Sequence, residues 1–76
     1  MPSPLTDADA VLQAFGTRLK ALRTEAGMSQ MTLAEASGLH PTYVSGVERG
    51  RRNVSLLAIV RLARALSQAP ASLLDL

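Results

Sequence analysis

Arginine is the side chain in this sequence whose type and spacing best suit binding chemistry. Seven of the eight cationic residues are arginines. No acidic residue lies between Glu48 and Asp75, and that interval contains five arginines: Arg49, Arg51, Arg52, Arg61 and Arg64. A planar guanidinium makes forked contacts with phosphate or with guanine. The charge pattern alone therefore allows either a nucleic-acid surface or an ordinary solvated face.

The composition argues against several other kinds of chemistry. The chain has no cysteine, which excludes disulfides and thiolate metal sites and fits a cytoplasmic location. Six acids and one histidine offer no convergent catalytic constellation, so we expect no enzyme, metal or cofactor. No apolar run approaches the ~18 residues of a membrane span, and the N-terminus lacks a signal-peptide pattern. We therefore expect no association with a membrane.

Helix start and stop signals predict an all-α domain of five helices. Thr6 and Asp9 resemble a capping box, Ser29 and Ser55 are suitable N-caps, and Pro41 fits a first helical position. Glycines at 27, 38 and 50 stand where helices would end. The predicted helices are Asp7 to Ala26, Gln30 to Ser37, a third that starts at Pro41 after the boundary residue His40 and is closed by Gly50, Leu56 to Leu66 and Pro70 to Leu74.

The same signals predict the organisation of the chain. Seventy-six residues make one small domain with a thin core. Residues 1–5, with two prolines, are predicted to form a loose arm, and residues 6–76 the domain. The fourth helix is predicted to bury one apolar stripe: Leu56, Ile59, Val60, Ala63 and Leu66.

Two short helices joined at a glycine, within residues 30–49, form the pattern of a helix-turn-helix. A helix turns by ~100° per residue, so Val47 and Glu48 fall within about 60° of Val44 and form an inner face. Four residues fall on the opposite side, at roughly 100° to 200° from Val44: Thr42, Ser45, Gly46 and Arg49. This lean outer face is what we expect of a helix that lies close to another surface.

Gly46 needs a reason, because glycine inside a helix is ~1 kcal/mol less favourable than alanine. One explanation is close approach of the helix to bases, and the other is a tolerated small residue on the surface. Arg51, Arg52 and Asn53 follow directly, where contacts with phosphate or a solvated loop are both reasonable. Tyr43, on the flank of the helix, either donates its hydroxyl to phosphate or pads the edge of the core.

The segment "SQMTLAEASGLHPTYVSGVERG" resembles the helix-turn-helix of phage-repressor-like regulators of the Xre or Cro/cI type. Upstream, "FGTRLKALRTEAGMSQ" is similar to the first helix of that family. Downstream, "RRNVSLLAIVRLARAL" most resembles the small controller proteins of restriction–modification systems. The residues that carry the match are Gln30, Leu33, Ala34, Gly38, Leu39, Val44, Ser45, Val47, Glu48 and Gly50.

The resemblance implies a five-helix domain that binds double-stranded operator DNA as a two-fold dimer. By position, Thr42, Ser45 and Gly46 would face base edges, and Pro41 would lie near the entry to the groove. Arg49 would read a guanine or hold a phosphate. Pro41 and Gly46 replace the longer polar side chains of many relatives, so specificity is expected to depend partly on DNA shape.

The resemblance also implies two supporting roles near the start of the helix-turn-helix. Gln30 would bond a phosphate and point its amide toward the third helix. Glu48 faces inward on the helical wheel, and the family places an arginine at the position of Arg23. We therefore predict a buried ion pair between Arg23 and Glu48, against the alternative of an unpartnered surface glutamate.

The leading hypothesis is thus a homodimeric, sequence-specific DNA-binding transcriptional regulator. Dimerisation is expected to use Leu73, Leu74 and Leu76 with part of the fourth helix, although closure of the core is an alternative for these leucines. No small-molecule effector is evident, so we expect regulation through the concentration of the protein itself. The competing hypothesis is an antitoxin-like or adaptor protein whose main partner is another protein.

Overall fold

A computed structural model describes residues 7–76, which form five helices and no strand. The helices are α1 (Ala8–Glu25), α2 (Gln30–Ser37), α3 (Pro41–Glu48), α4 (Leu56–Ala65) and α5 (Pro70–Leu73). The predicted all-α class is therefore confirmed. The predicted arm and the Thr6 cap lie outside the described residues, and the N-cap of α1 is Asp7, whose carboxylate accepts a bond from the Ala10 N–H.

The other helix ends follow from local side-chain chemistry. The hydroxyls of Ser29 and Ser55 accept hydrogen bonds from backbone N–H groups three residues later, which satisfies donors that the first turn leaves free. His40 caps α3 through Nδ1, which accepts a bond from the Thr42 N–H at 3.1 Å. Gly38 ends α2 with a φ of 71°, a conformation that favours glycine, and turns the chain into α3.

The core lies between all five helices. Its fully buried members include Leu19 from α1, Leu33 from α2, Val44 from α3 and Leu62 from α4. Leu73 of α5 is also fully buried, so the prediction that it lies at a dimer interface is wrong. A chain this short needs α5 to close its core, and Leu73 is the side chain that does so.

The buried face of α4 agrees with the predicted stripe in part, because Ala63 and Leu66 are buried as predicted. Leu56 is 76% exposed, whereas Leu62, which the stripe omitted, is completely buried. Ala58, Leu62 and Leu66 follow one another at four-residue intervals and, with Ala63, form the contact face. Arg61 and Arg64 mark the solvent side of α4, but the apolar arc that remains is wide, and packing against α2 and α5 decides which part of it is buried.

Gly16 allows α1 to pack directly on the C-terminal end of α3. A β-carbon at position 16 would lie 2.5 Å from the carbonyl oxygens of both Val47 and Glu48. Farther along α1, the Arg18 Nε donates to the Ser72 carbonyl at 2.8 Å and ties α1 to α5. The first contact makes α1 the support on which α3 is held, and the second holds α1 against α5. Across residues 7–76, no helix has the length and apolar character needed to cross a membrane.

Candidate nucleic-acid interface

The two faces of α3 have opposite characters. Val44 and Val47 are buried in the core, whereas Thr42 is exposed and Ser45 is half-buried on the outer side. Pro41 occupies the first helical position and is half-buried. Its ring fixes the backbone at the start of α3, where a missing N–H leaves no helical bond unmade. The backbone at the start of α3 is therefore rigid, and the outer side of the helix presents short polar side chains.

Glu48 is the centre of a buried polar cluster that joins α1, α2 and α3. Its side chain is only 2% exposed. One carboxylate oxygen accepts bonds from the Arg23 Nη2 and the Gln30 Nε2, both at 3.0 Å, and the other accepts from the Arg23 Nε. The Arg23 Nη1 donates to the Met28 carbonyl at 2.7 Å. The structure thus brings Arg23 and Glu48 together as a forked ion pair.

This cluster sets the position of α3 relative to its neighbours. A buried carboxylate is tolerated because an opposite charge and full hydrogen bonding offset the loss of water. Every buried side-chain nitrogen or oxygen within residues 7–76 has a hydrogen-bond partner. The Gln30 amide points toward α3, as the resemblance implied, and its Nε2 is bonded to Glu48. Its contact with phosphate stays a prediction.

Gly46 does not lie open on the outer side of α3, so that part of the expected base-facing surface needs correction. Gly46 is buried, and the side chain of Arg52 covers it. A β-carbon at position 46 would lie 2.9 Å from the Arg52 Cγ and 3.3 Å from its Nε. The helical period placed Gly46 on the correct side, but it could not reveal a side chain that returns from the following loop.

The remaining predicted contact residues surround the C-terminal half of α3. Arg49 is the exposed C-cap residue, and Arg51 and Asn53 are exposed in the loop that follows. Tyr43 is half-buried and packs against the core, with the Arg52 guanidinium 6.0 Å from the centre of its ring. The structure therefore places Arg49, Arg51 and Asn53 at or directly after the end of α3 and the Arg52 guanidinium beside Tyr43, and the roles of these residues toward bases and phosphates stay predictions.

A shallow cleft between α3 and α4 extends this surface. Its lining combines apolar and polar side chains: Leu39, Tyr43, Asn53, Ser55, Leu57, Ala58 and Arg61. The sequence predicted no link between Arg61 and Tyr43. The only signal in the sequence was the position of Ser55 as an N-cap, which starts α4 beside the end of α3.

Comparison with known proteins agrees with this arrangement. A family model described as a helix-turn-helix domain matches residues 14–76. The chain is 45% identical over 62 residues to control protein C.BamHI of Bacillus amyloliquefaciens, covering 80% of this chain and 76% of that protein. It is 38% identical over 74 residues to control protein C.SmaI of Serratia marcescens, covering 92% of this chain and 88% of that protein.

A solved structure shares both the fold and much of the sequence. The restriction–modification controller protein C.AhdI from Aeromonas hydrophila superposes with a TM-score of 0.81 and 58% sequence identity, over 82% of this chain and 94% of that one. On the matching domain, these relatives and the geometry of α2 and α3, the chain belongs to the helix-turn-helix family of the restriction–modification controller proteins.

Proposed function

We propose that this protein is a sequence-specific DNA-binding transcriptional regulator that acts as a homodimer in a restriction–modification system. The proposal rests on the contrast between the two sides of α3. Its inner side is fixed by Val44, Val47 and the Glu48 cluster, and its outer side presents Thr42 and Ser45 beside a group of arginines. A rigid helix with a lean polar face and cationic flanks fits the major groove of DNA.

Within this proposal, the residues divide into two groups by their position. Thr42 and Ser45, with Pro41 at the start of the helix, face the base edges, and Arg49 stands at the other end of that face. Five other residues hold the phosphate backbone or position the protein on it: Gln30, Tyr43, Arg51, Arg52 and Asn53. Such backbone contacts set the register of the protein but read no sequence.

The dimer surface that we propose is the apolar side of α4 together with the C-terminal leucines. Leu74 and Leu76 are 51% and 46% exposed, and both line one groove with Ile59. Leu56 is 76% exposed and lies three residues before Ile59, so it adjoins the same groove on the surface of α4. Contiguous exposed apolar surface of this kind marks an interaction site, and a second copy would cover it.

A homodimer places two copies of α3 in successive major grooves, ~34 Å apart, on a roughly palindromic operator. A protein of this kind acts where the chromosome is, so the cytoplasmic location expected from the sequence belongs to this proposal. Regulation through the concentration of the protein follows if the monomer–dimer equilibrium is sampled in the cell. If the dimer dissociation constant lies far below the cellular concentration of the protein, the monomer–dimer equilibrium cannot contribute to regulation.

Selection of bound sequences from a random DNA pool tests the proposal. The winning sequences should share an inverted repeat, and their affinity should fall by ~0.9 log units per log unit of salt for each phosphate contacted. A salt slope near zero, or recovery of a stoichiometric protein partner with negligible binding to the selected DNA, would instead support the adaptor hypothesis.

A further inference from the structure

Four of the side chains that line the cleft between α3 and α4 can donate hydrogen bonds: Tyr43, Asn53, Ser55 and Arg61. They come from α3, from the loop that follows it and from the N-terminal part of α4. The Ser55 hydroxyl accepts a bond from the Ala58 N–H, so its own hydrogen remains available to a ligand. Within residues 7–76, the other three side chains donate to no acceptor. The cleft therefore brings together donors that the fold itself does not use.

The charge in this cleft is positive and uncompensated. Arg61 is exposed, and no lining residue is acidic. The acids nearest to it in the sequence are Glu48, which belongs to the buried ion pair, and Asp75, which lines a different groove against α1. The Arg52 guanidinium lies 6.0 Å from the centre of the Tyr43 ring, so a second cation stands beside the same aromatic side chain. Unpaired cations and free donors together favour an anion.

The shape of the cleft favours a polymer that passes across it over a small molecule. The cleft has a volume of about 400 Å³ but is shallow and open to solvent, whereas sites for small molecules enclose most of the ligand surface. Leu57, which is 60% exposed, lies four residues before Arg61 on the same side of α4 and forms an apolar wall. A DNA backbone offers what such a cleft can contact, because its charged phosphates alternate with less polar sugars.

We propose that Arg61 is a further DNA-contact residue, which holds one backbone phosphate in the cleft between α3 and α4 together with the donors of Tyr43, Asn53 and Ser55. This inference rests on the proposed DNA-binding function. Arg61 lies on a different helix from the base-facing side chains, so its contact holds the domain to the duplex at a second place. Two separated contacts fix the angle at which α3 enters the groove, which is the usual role of phosphate contacts.

The chain offers a matched control for this assignment. Arg64 is an exposed arginine about one turn farther along α4, and it does not line the cleft. Replacement of either arginine by glutamine removes one charge and keeps part of the hydrocarbon stem that covers the helix surface. A difference between Arg61→Gln and Arg64→Gln therefore reports the cleft and not the net charge of the protein.

The first experiment measures affinity for the operator selected by the unaltered protein, and for its single base-pair variants, over a series of salt concentrations. We expect Arg61→Gln to weaken binding about tenfold, to lower the salt slope by ~1.8 per dimer and to keep every base preference. Arg64→Gln should change neither the affinity nor the slope. Arg61→Lys keeps the positive charge and should therefore retain the salt slope, which a purely structural role of the guanidinium would not predict.

The second experiment locates the phosphate by replacing the phosphates of the operator, one at a time, with neutral methylphosphonates. At one position in each half-site, the replacement should weaken binding by the unaltered protein and by Arg64→Gln, with little further effect on Arg61→Gln. Such non-additivity identifies two groups that contact each other. Equal losses in all three proteins at every position would show that Arg61 contacts no particular phosphate, and would overturn the inference.

Failure of this inference and failure of the proposed function give different results. If Arg61→Gln binds the operator with unchanged affinity and salt slope, the cleft holds no phosphate, and the proposed DNA-binding function stands. A loss confined to one base pair would show that Arg61 contacts a base instead. If the unaltered protein binds none of the DNA offered, the proposed function fails and the role of Arg61 fails with it. Thermal unfolding of each variant checks that the fold is intact, as expected for exposed side chains.

Discussion

Arg23 and Glu48 form a buried ion pair that joins the C-terminal end of α1 to the C-terminal end of α3. The side chains are 10% and 2% exposed, and Gln30 of α2 donates to the same carboxylate. One acid therefore orients both helices of the helix-turn-helix against α1. This relationship makes the stability of the domain and the placement of its candidate DNA-binding face depend on the same group.

Removing one partner of this pair should destabilise the fold strongly. We expect Glu48→Gln and Arg23→Met each to lower the free energy of unfolding by about 3 kcal/mol, because each leaves a buried charge without its partner. The double variant should lose less than the sum of the two. Urea unfolding measures all three, with Lys20→Met, an exposed cation on the same helix, expected to change stability by less than ~0.5 kcal/mol. If the double variant lost as much free energy of unfolding as the two single variants together, this would contradict an interaction between Arg23 and Glu48.

Gly16→Ala should be more damaging than a single methyl group normally is. The added carbon would meet two backbone carbonyl oxygens at 2.5 Å, and backbone cannot rotate away as a side chain can. We expect a loss of about 2–3 kcal/mol, typical of strong overpacking, despite the gain in helix propensity. Thermal or urea unfolding checks this, with Thr17→Ala at the exposed neighbouring position as the control. Unchanged or higher stability of Gly16→Ala would show that α1 can move away from α3.

Substitutions of Leu73 and Leu56 should distinguish a loss of core packing from a loss of the proposed dimer contact. Leu73→Ala removes a fully buried side chain and should cost ~2–5 kcal/mol of stability. Leu56→Glu changes a side chain that is 76% exposed, so it should leave the fold of the protomer intact and weaken dimerisation. Sedimentation at several concentrations, combined with unfolding curves, distinguishes the two effects. A dimer undisturbed by Leu56→Glu would exclude this side of α4 from the interface.

The salt dependence of DNA binding should show directly whether Arg51, an exposed arginine of the loop after α3, contacts phosphate. Loss of one phosphate contact per protomer removes two per dimer, so Arg51→Ala should reduce the salt slope by ~1.8. Thr42→Ala carries no charge change, so it should leave the slope unchanged and relax preference at a base pair. Fluorescence titrations of the selected operator over a series of salt concentrations measure both. A change of slope with Thr42→Ala, or none with Arg51→Ala, would reverse these assignments.

The sequence by itself determined where the helices begin and end. Serine hydroxyls at 29 and 55, the proline at 41 and the glycine at 38 act on backbone groups within a few residues, so their effect needs no knowledge of the fold. It also determined which side of α3 faces inward, since the helical period places Val44 and Val47 together on one side and Thr42 and Ser45 on the other. The resemblance to a known family added the partner of Glu48, which the wheel could not supply.

Only the tertiary structure decided that Leu62 rather than Leu56 of α4 is buried, that Leu73 belongs to the core, and that Arg52 covers Gly46. In each case the deciding contact joins different segments of the chain, and a local period carries no information about it. Arg61 and Arg64 mark the solvent side of α4, but the leucines on the wide apolar arc that remains are equivalent until packing against other helices buries some of them. A long, flexible arginine has many rotamers, and its position is fixed only by the surface on which it comes to lie.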